Sequence, residues 1–262
     1  MKKNSLFEWV KAHPEDPATK ALLLRQLESL ATIDDDKLQK RLLKELIQNY
    51  VALEKRVDSL LKNTLPATVA EEIKFEDRFL PRTYQCTIMF TDFVGFTSLA
   101  ETIPLNTLVE MLNLIYTEFD NQINCFKGTK IKTIGDAYMA VFGAPIEYDE
   151  HPVWAIRASL DLVRVMEHFN LTAEHPFNIR IGIHTGQVMA GVVGKERMQF
   201  DVFGDDVNIA ARFESSSAEN RINISEKTYS LSKDYFDFEE RGSIQLKNKA
   251  DMRAYYVLGE KH

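Results

Sequence analysis

The sequence predicts a protein of mixed helix and strand, α+β or α/β with a mixed sheet, preceded by a region that is helical throughout. Two patterns carry this. From about residue 81 onward, short runs with β character exchange with longer amphipathic stretches, as in a sheet covered by helices. Before that point no strand-like segment occurs, and apolar residues recur at helical spacing. The expected organisation is a helical region at 1–80 and a mixed domain at 81–262, with no internal repeat or low-complexity tract.

Taken in order, the break at Pro14 and Pro17 is followed by "ATKALLLRQLESLAT", a helical run. "IDDDKLQKRLLKELIQNYVALEKRVDSLLKN" comes next, opened by acidic residues that suit a helix N-terminus. Inside it Leu43, Leu46, Tyr50, Leu53, Val57 and Leu60 are spaced 3-4-3-4-3, a short coiled-coil seam over about 43–60. The seam predicts self-association; packing on the chain's own body is the alternative. "LPATVAEEIK" restarts a short helix, with Pro66 allowed at its first turn. "TYQCTIMFTD" reads as a strand, and "PLNTLVEMLNLIYTEFDNQINCF" as a helix ended by Gly128. "TKIKTIGDAYMAVFGA" reads as two strands joined at Gly135-Asp136. "PVWAIRASLDLVRVMEHFN" is an amphipathic helix, and "FNIRIGIHTGQVMAGVVG" reads as a β pair around Thr185-Gly186. "QFDVFG" is a short strand, "DDVNIAARFESS" a helix, and the tail has short elements of both kinds.

With 262 residues, 45% hydrophobic and 27% charged, the chain is built like a soluble globular protein. A net charge of −7 argues against non-specific binding to nucleic acid or an anionic membrane. An anionic substrate would need local cations or metals. The two cysteines, Cys86 and Cys125, form no disulfide framework. No apolar run approaches the roughly 18 residues of a membrane span. The basic start "MKKNSLFEWVKAHPED" lacks the apolar core of a signal peptide. A cytoplasmic protein is expected.

The residues able to do chemistry begin with Asp92. Ile88, Phe90 and Asp92 share one strand face, apolar until it turns acidic. Asp136, at the turn after "KIKTI", is a second carboxylate at a strand end. On neighbouring strands the two would repel unless a cation sat between them, and Mg²⁺ uses one or two carboxylates plus substrate phosphates. The loop "FVGFTS" after Asp92 offers a glycine for phosphate approach, then Thr97 and Ser98 as expected helix caps. Asn208 and Arg212, four apart, project from one helix face. No histidine pair has zinc-like spacing.

The segments "FTDFVGFTSLAE", "KTIGDAYMAVFG", "RIGIHTGQVMAG" and "QFDVFGDDVNIAAR" occur in the order and approximate spacing of the class III nucleotide cyclase catalytic domain, which residues 81 to 260 resemble. The resemblance implies an α+β, ferredoxin-like βαββαβ core with additions, working as a head-to-tail dimer with both active sites at the interface. It implies closure of a nucleoside triphosphate to a 3′,5′-cyclic monophosphate with release of pyrophosphate. By motif, Asp92, the Phe93 backbone carbonyl and Asp136 correspond to the ligands of two Mg²⁺ or Mn²⁺ ions. Lys132 and Asp201 match the base-reading pair, here suited to adenine; guanylyl members typically show glutamate and cysteine. Asn208 corresponds to the ribose-orienting group, Arg212 to the stabiliser of α-phosphate charge, and Arg180 and Lys247 to triphosphate contacts. The family draws the metal aspartates from one subunit and the Asn208, Arg212, Lys132 and Asp201 set from the other, so a homodimer completes both sites.

The reading expected is therefore an adenylyl cyclase acting on ATP, with guanylyl cyclase as the enzymatic alternative and a catalytically silent regulatory dimer as the other. Diguanylate cyclase is disfavoured, because no Gly-Gly-Asp/Glu-Glu-Phe segment occurs. Phe93 stands where isoleucine is more usual, a change that a carbonyl ligand tolerates. Asp206, beside Asp205 where a small or neutral residue is more usual, is the departure that matters. It is expected to be a helix N-terminal charge, whereas pointing inward it would weaken triphosphate binding and support the silent dimer.

Overall fold

The computed structural model describes Arg25, residues 36–245 and residues 251–261, in two compact units that meet in sequence at Asn63 and Thr64. The expected helix at 18–32 lies outside the described residues, Arg25 apart. In the first unit, helix α1 (Asp36–Lys62) opens with an acidic residue and closes with Lys62, matching charge to the helix dipole. Leu43, Tyr50, Leu53 and Val57 of the heptad stripe are exposed on α1.

The second unit starts with α2 (Ala67–Glu76), which follows Pro66 and buries Val69 and Ala70. The order is then β1 (Arg82–Phe93), α3 (Phe96–Ala100), α4 (Leu105–Cys125), β2 (Gly128–Ile134), β3 (Ala137–Phe142) and α5 (His151–Asn170). After these come β4 (Ile179–Val193), β5 (Gln199–Phe203), α6 (Asp205–Ser215), β6 (Ile222–Ser225), α7 (Glu226–Ser232), β7 (Phe236–Ile244) and β8 (Met252–Glu260). One sheet runs β2-β3-β1-β4-β6-β8-β7, with β5 paired to the outer half of β4. The β2-β3-β1-β4 portion, with α4 and α5 as crossovers, is the ferredoxin-like βαββαβ core. All its neighbours are antiparallel, and the parallel β4·β6 pair makes the sheet mixed.

Strand alternation assigns the two faces. Met89 and Phe93 of β1 and Ile179, Ile181 and Ile183 of β4 turn toward α4 and α5, whose Ile115, Phe119, Ile156 and Leu162 complete the main core. At about 25 cal/mol per Å² of apolar surface removed from water, this face is the main source of stability. Ile88, Phe90 and Asp92 lie on the opposite face, as their two-residue spacing requires. Helix α6 covers that face.

Three local expectations are corrected. The stretch around Thr185-Gly186 is one continuous strand of 15 residues, not a β pair, because Gly186 serves close approach by α6 and no turn is made there. Helix α4 ends at Cys125, before Gly128: Lys127 takes φ 59°, and Gly128 already opens β2. A Cβ on Gly128 would stand 2.7 Å from the Phe142 ring. Finally, Thr97 and Ser98 lie inside α3 and do not cap it; Gly95, at φ 69°, makes the turn into the helix.

Candidate active site

Helix α6 carries the candidate residues Asn208 and Arg212, and two glycines of β4 position it. A Cβ on Gly182 would fall 1.9 Å from the Glu214 backbone nitrogen, and one on Gly186 would fall 2.2 Å from the Asp206 carboxylate. Asp206 to Glu214 spans ~12 Å of helix, and Gly182 to Gly186 spans ~13 Å of strand. The helix therefore lies antiparallel along β4, in contact at both ends. Between the glycines, His184 stacks on Phe213 with centroids 6.2 Å apart. Its Nε2–H donates to Asp206 Oδ1 at 3.1 Å, and its Nδ1 is 2.8 Å from Ser225 Oγ. Asp206 Oδ2 also accepts from the Gln187 N–H at 2.7 Å. The unusual second carboxylate of "GDD" is thus turned onto β4, where it anchors the helix start. The "GIHTG" motif is a cradle for α6.

At the other end of α6, the metal-type carboxylates gather on the same sheet face. Asp92 ends that face of β1, directly across from Arg180 of β4. Asp136 sits in the β2–β3 turn, where Gly135 takes φ 64° and the Tyr116 hydroxyl donates to the Asp136 carbonyl at 3.0 Å. Burial pushes the Asp136 carboxyl above the ordinary carboxylate range, and the charge and hydrogen bond of Asp92 push it further. A like-charge pair at a strand end is what an oxygen-seeking divalent cation relieves, so the donors fit Mg²⁺ or Mn²⁺. Among the described residues no cluster of three or more His, Cys, Asp or Glu could hold a metal. Two aspartates would therefore depend on substrate oxygens and backbone to complete coordination. Phe93, the expected carbonyl ligand, buries its ring against Phe177 at 5.1 Å, leaving its backbone role independent of side-chain identity.

Arg180 supplies the positive charge here. One guanidinium nitrogen donates to Asp92 Oδ2 at 2.7 Å, and Nε lies 3.2 Å from Glu214 Oε1 without hydrogen-bond alignment. Glu214 is 8% exposed, and burial first, then the charges of Asp92 and Asp136, raise its carboxyl to about 7 against the pull of Arg180. Sequence reasoning missed Glu214. The available signal was its place on the apolar stripe of α6 with Ile209, Ala210 and Phe213, at the same spacing logic that exposed Asp92.

Lys132 of β2 and Asp201 of β5 meet directly, Nζ to Oδ2 at 2.5 Å, with the lysine side chain 30% exposed. A bulge between Lys130 and Lys132 shifts the β2 register there. Lys130, its neighbour, pairs with Asp120 at 2.8 Å instead. Asp201 Oδ1 accepts from the Val202 N–H at 2.9 Å, leaving Oδ2 for the lysine or a ligand. Asn208 and Arg212 are both exposed, on the side of α6 away from Asp206 and Glu214. The structure therefore brings together Asp92, Asp136 and Arg180 in one cluster and Lys132 with Asp201 in another. Lys247 lies outside the described residues.

The profile of the adenylate and guanylate cyclase catalytic domain matches residues 80–259. An adenylate cyclase of Mycobacterium tuberculosis is 36% identical over 208 residues, covering 79% of this chain and 47% of that protein. The receptor-type guanylate cyclase gcy-28 of Caenorhabditis elegans is 36% identical over 225 residues, covering 84% of this chain and 18% of that protein. The chain thus spans less than half the length of either relative. Among solved structures, the guanylate cyclase domain of RhGC from Catenaria anguillulae in complex with GTP superposes with a TM-score of 0.66 at 32% identity, over 69% of this chain and all of that one. The adenylyl cyclase CyaB from P. aeruginosa gives 0.66 at 29% identity, over 70% and 98%. By motif, topology and kinship together, the chain belongs to the adenylate and guanylate cyclase catalytic-domain family.

Proposed function

We propose that the protein is an adenylyl cyclase, converting ATP to 3′,5′-cyclic AMP and pyrophosphate at two composite sites of a homodimer. The observation that carries the choice of nucleotide is the Lys132–Asp201 pair. The lysine donates to the N1 acceptor of adenine, and the carboxylate accepts from the exocyclic amino group. Guanine reverses both requirements, leaving the lysine against an N–H and the carboxylate against a carbonyl, with buried polar groups unpaired. The relatives include enzymes of both specificities, so the choice rests on this pair.

The placement of α6 supports the dimer. Its Asn208 and Arg212 project away from the protomer's own carboxylates, so a second copy supplies the substrate they meet. Asn208 orients the ribose, Arg212 offsets charge that grows on the α-phosphate, and Arg180 with Lys247 holds the triphosphate. Asp92, Asp136 and the Phe93 carbonyl would hold two Mg²⁺ or Mn²⁺ ions, which when bound lower the pKa of the ribose 3′-hydroxyl and offset triphosphate charge. The turn of Asp206 onto His184 and Gln187 weakens the case for a silent dimer, which that residue alone favoured. The helical region and catalytic domain are read as 1–80 and 81–262, with the exposed stripe of α1 pairing as a coiled coil that aligns the two domains. If deletion of residues 1–62 left dimerisation and activity unchanged, that pairing would be dropped. No helix among the described residues is long and apolar enough to cross a membrane; the cytoplasmic location is part of this proposal.

The test is product formation from ATP and from GTP, each with Mg²⁺ or Mn²⁺, beside an Asp136→Ala control. Cyclic AMP from ATP alone, lost in the control, is expected. Cyclic GMP as the main product would refute the base-reading argument.

A further inference from the structure

Glu214 is the one buried carboxylate of the site cluster to which no metal or substrate role has been given. Its backbone nitrogen rests on Gly182, where even a methyl group has no room. Its side chain is buried and faces the Nε edge of Arg180 at 3.2 Å. Neither Glu214 Oε1 nor Arg180 Nε has a hydrogen-bond partner among the described residues, although both are shut off from water. The two groups are thus held within reach, one small rotation short of a charge-assisted hydrogen bond. A second nitrogen of the same guanidinium, Nη2, donates to Asp92. Arg180 therefore stands between a carboxylate proposed to bind a cation and one that is walled in.

We propose that Glu214 is a positioning residue for Arg180: it keeps the guanidinium inside the site when Asp92 turns to a divalent cation, so that Arg180 passes from Asp92 to the incoming polyphosphate without swinging to solvent. This inference rests on the reading of Arg180 as a triphosphate contact. The geometry supports the exchange in charge terms. Three carboxyl groups (Asp92, Asp136 and Glu214) face Arg180 among the described residues, more acid groups than one guanidinium can pair, which favours entry of cations. Once Asp92 is engaged elsewhere, Arg180 retains one ionic partner, and a slight rotation completes the bond with Glu214 that is misaligned beforehand. An arginine held at Nε presents its Nη1–Nη2 edge to phosphate, a divided use that a lysine cannot make.

The test separates positioning from mere support of the fold. The full-length protein is titrated with inorganic tripolyphosphate in the presence of Mn²⁺ by calorimetry, a readout that needs neither base recognition nor turnover. Affinity is expected to weaken roughly tenfold in Glu214→Ala, the size of one lost charge-assisted contact, and less in Glu214→Gln, which keeps an oxygen toward Nε. Arg180→Ala should show at least the same loss, and Glu214→Ala combined with Arg180→Ala should be no weaker than Arg180→Ala alone. In turnover, Glu214→Ala is expected to raise the KM for ATP more than it lowers kcat. Should Glu214→Ala not fold, Glu214→Gln alone and combined with Arg180→Ala carries the same comparison. Unchanged tripolyphosphate affinity in a folded Glu214 variant, or losses that add in full to those of Arg180→Ala, would overturn the inference. Failure of the unaltered protein to bind tripolyphosphate with Mn²⁺ would instead remove the triphosphate reading of the site, and this inference with it.

Discussion

Replacing Gly182 by alanine is the sharpest way to ask whether the seat of α6 on β4 controls catalysis. The added Cβ would lie 1.9 Å from the Glu214 nitrogen and 2.5 Å from the Phe213 carbonyl carbon, and both are backbone atoms that no rotamer change can move. Ordinary contact starts near 3.4 Å, so the helix must retreat by about 1.5 Å (3.4 − 1.9) at this end. Overpacking of this kind costs on the order of 3 kcal/mol. In a domain of this size that is a fall of roughly 6–12 °C in Tm. Because Arg212 and Asn208 ride on the same helix, a displacement above 1 Å should also cost about 10²-fold in kcat. Gly186→Ala provides the contrast. There the obstruction is the Asp206 side chain, at 2.2 Å, which can swing away at the expense of its bonds to Gln187 and His184. Adding Asp206→Ala to Gly186→Ala should recover part of the lost stability, whereas adding it to Gly182→Ala should not. Thermal unfolding and steady-state kinetics on the four variants decide the matter. Wild-type Tm and kcat in a folded Gly182→Ala protein would refute the seating argument.

Further outcomes follow from the same structure. Arg212→Ala should lower kcat by about 10²–10³ with little change in Tm, since the side chain is exposed and its proposed role is to stabilise charge only as the reaction proceeds. Lys132→Glu combined with Asp201→Cys should move the preference from ATP toward GTP, read as the ratio of the two kcat/KM values. The loss of ATP activity without any gain for GTP would count against direct base contact. His151, 7% exposed and 2.8 Å from Thr87 Oγ1, is pushed down by burial from 6.5 to about 4 and folds as the neutral imidazole. Its depressed pKa means the folded state binds fewer protons, so its stability contribution is present above pH 6.5 and is lost as pH falls toward 4, by about 3 kcal/mol in all. Urea unfolding at pH 7 and pH 4.5 should therefore show a smaller drop in His151→Gln than in the unaltered protein.

Much of this site is legible in the amino-acid sequence, for a physical reason. A carboxylate on the apolar side of a strand, as at Asp92, breaks a two-residue period, and the break is what suggests a cation site. Lys132 and Asp201 are legible only through resemblance: they lie 69 residues apart, and no local period joins them. Glu214 is as readable as Asp92 in principle, being a charge on the buried stripe of an amphipathic helix. It escapes notice because Asn208 and Arg212 draw the eye to the opposite face. Gly186 of "RIGIHTG" reads wrongly as a turn former, since sequence alone does not distinguish a glycine that bends the chain from one that admits a neighbouring element. That distinction comes from tertiary contact, here with Asp206. The caps expected at Thr97 and Ser98 fail likewise, because Gly95 makes the turn itself.

The central claim is that each active site draws Asp92 and Asp136 from one protomer and Asn208 and Arg212 from its partner. Complementation tests it most directly: Asp136→Ala and Arg212→Ala proteins, each inactive alone, are mixed, allowed to exchange subunits, and assayed for cyclic AMP from ATP. Half of the dimers are then mixed and each mixed dimer holds one intact site, so activity should return to about a quarter of the unaltered level. No recovery, with subunit exchange verified, would contradict a site shared between protomers.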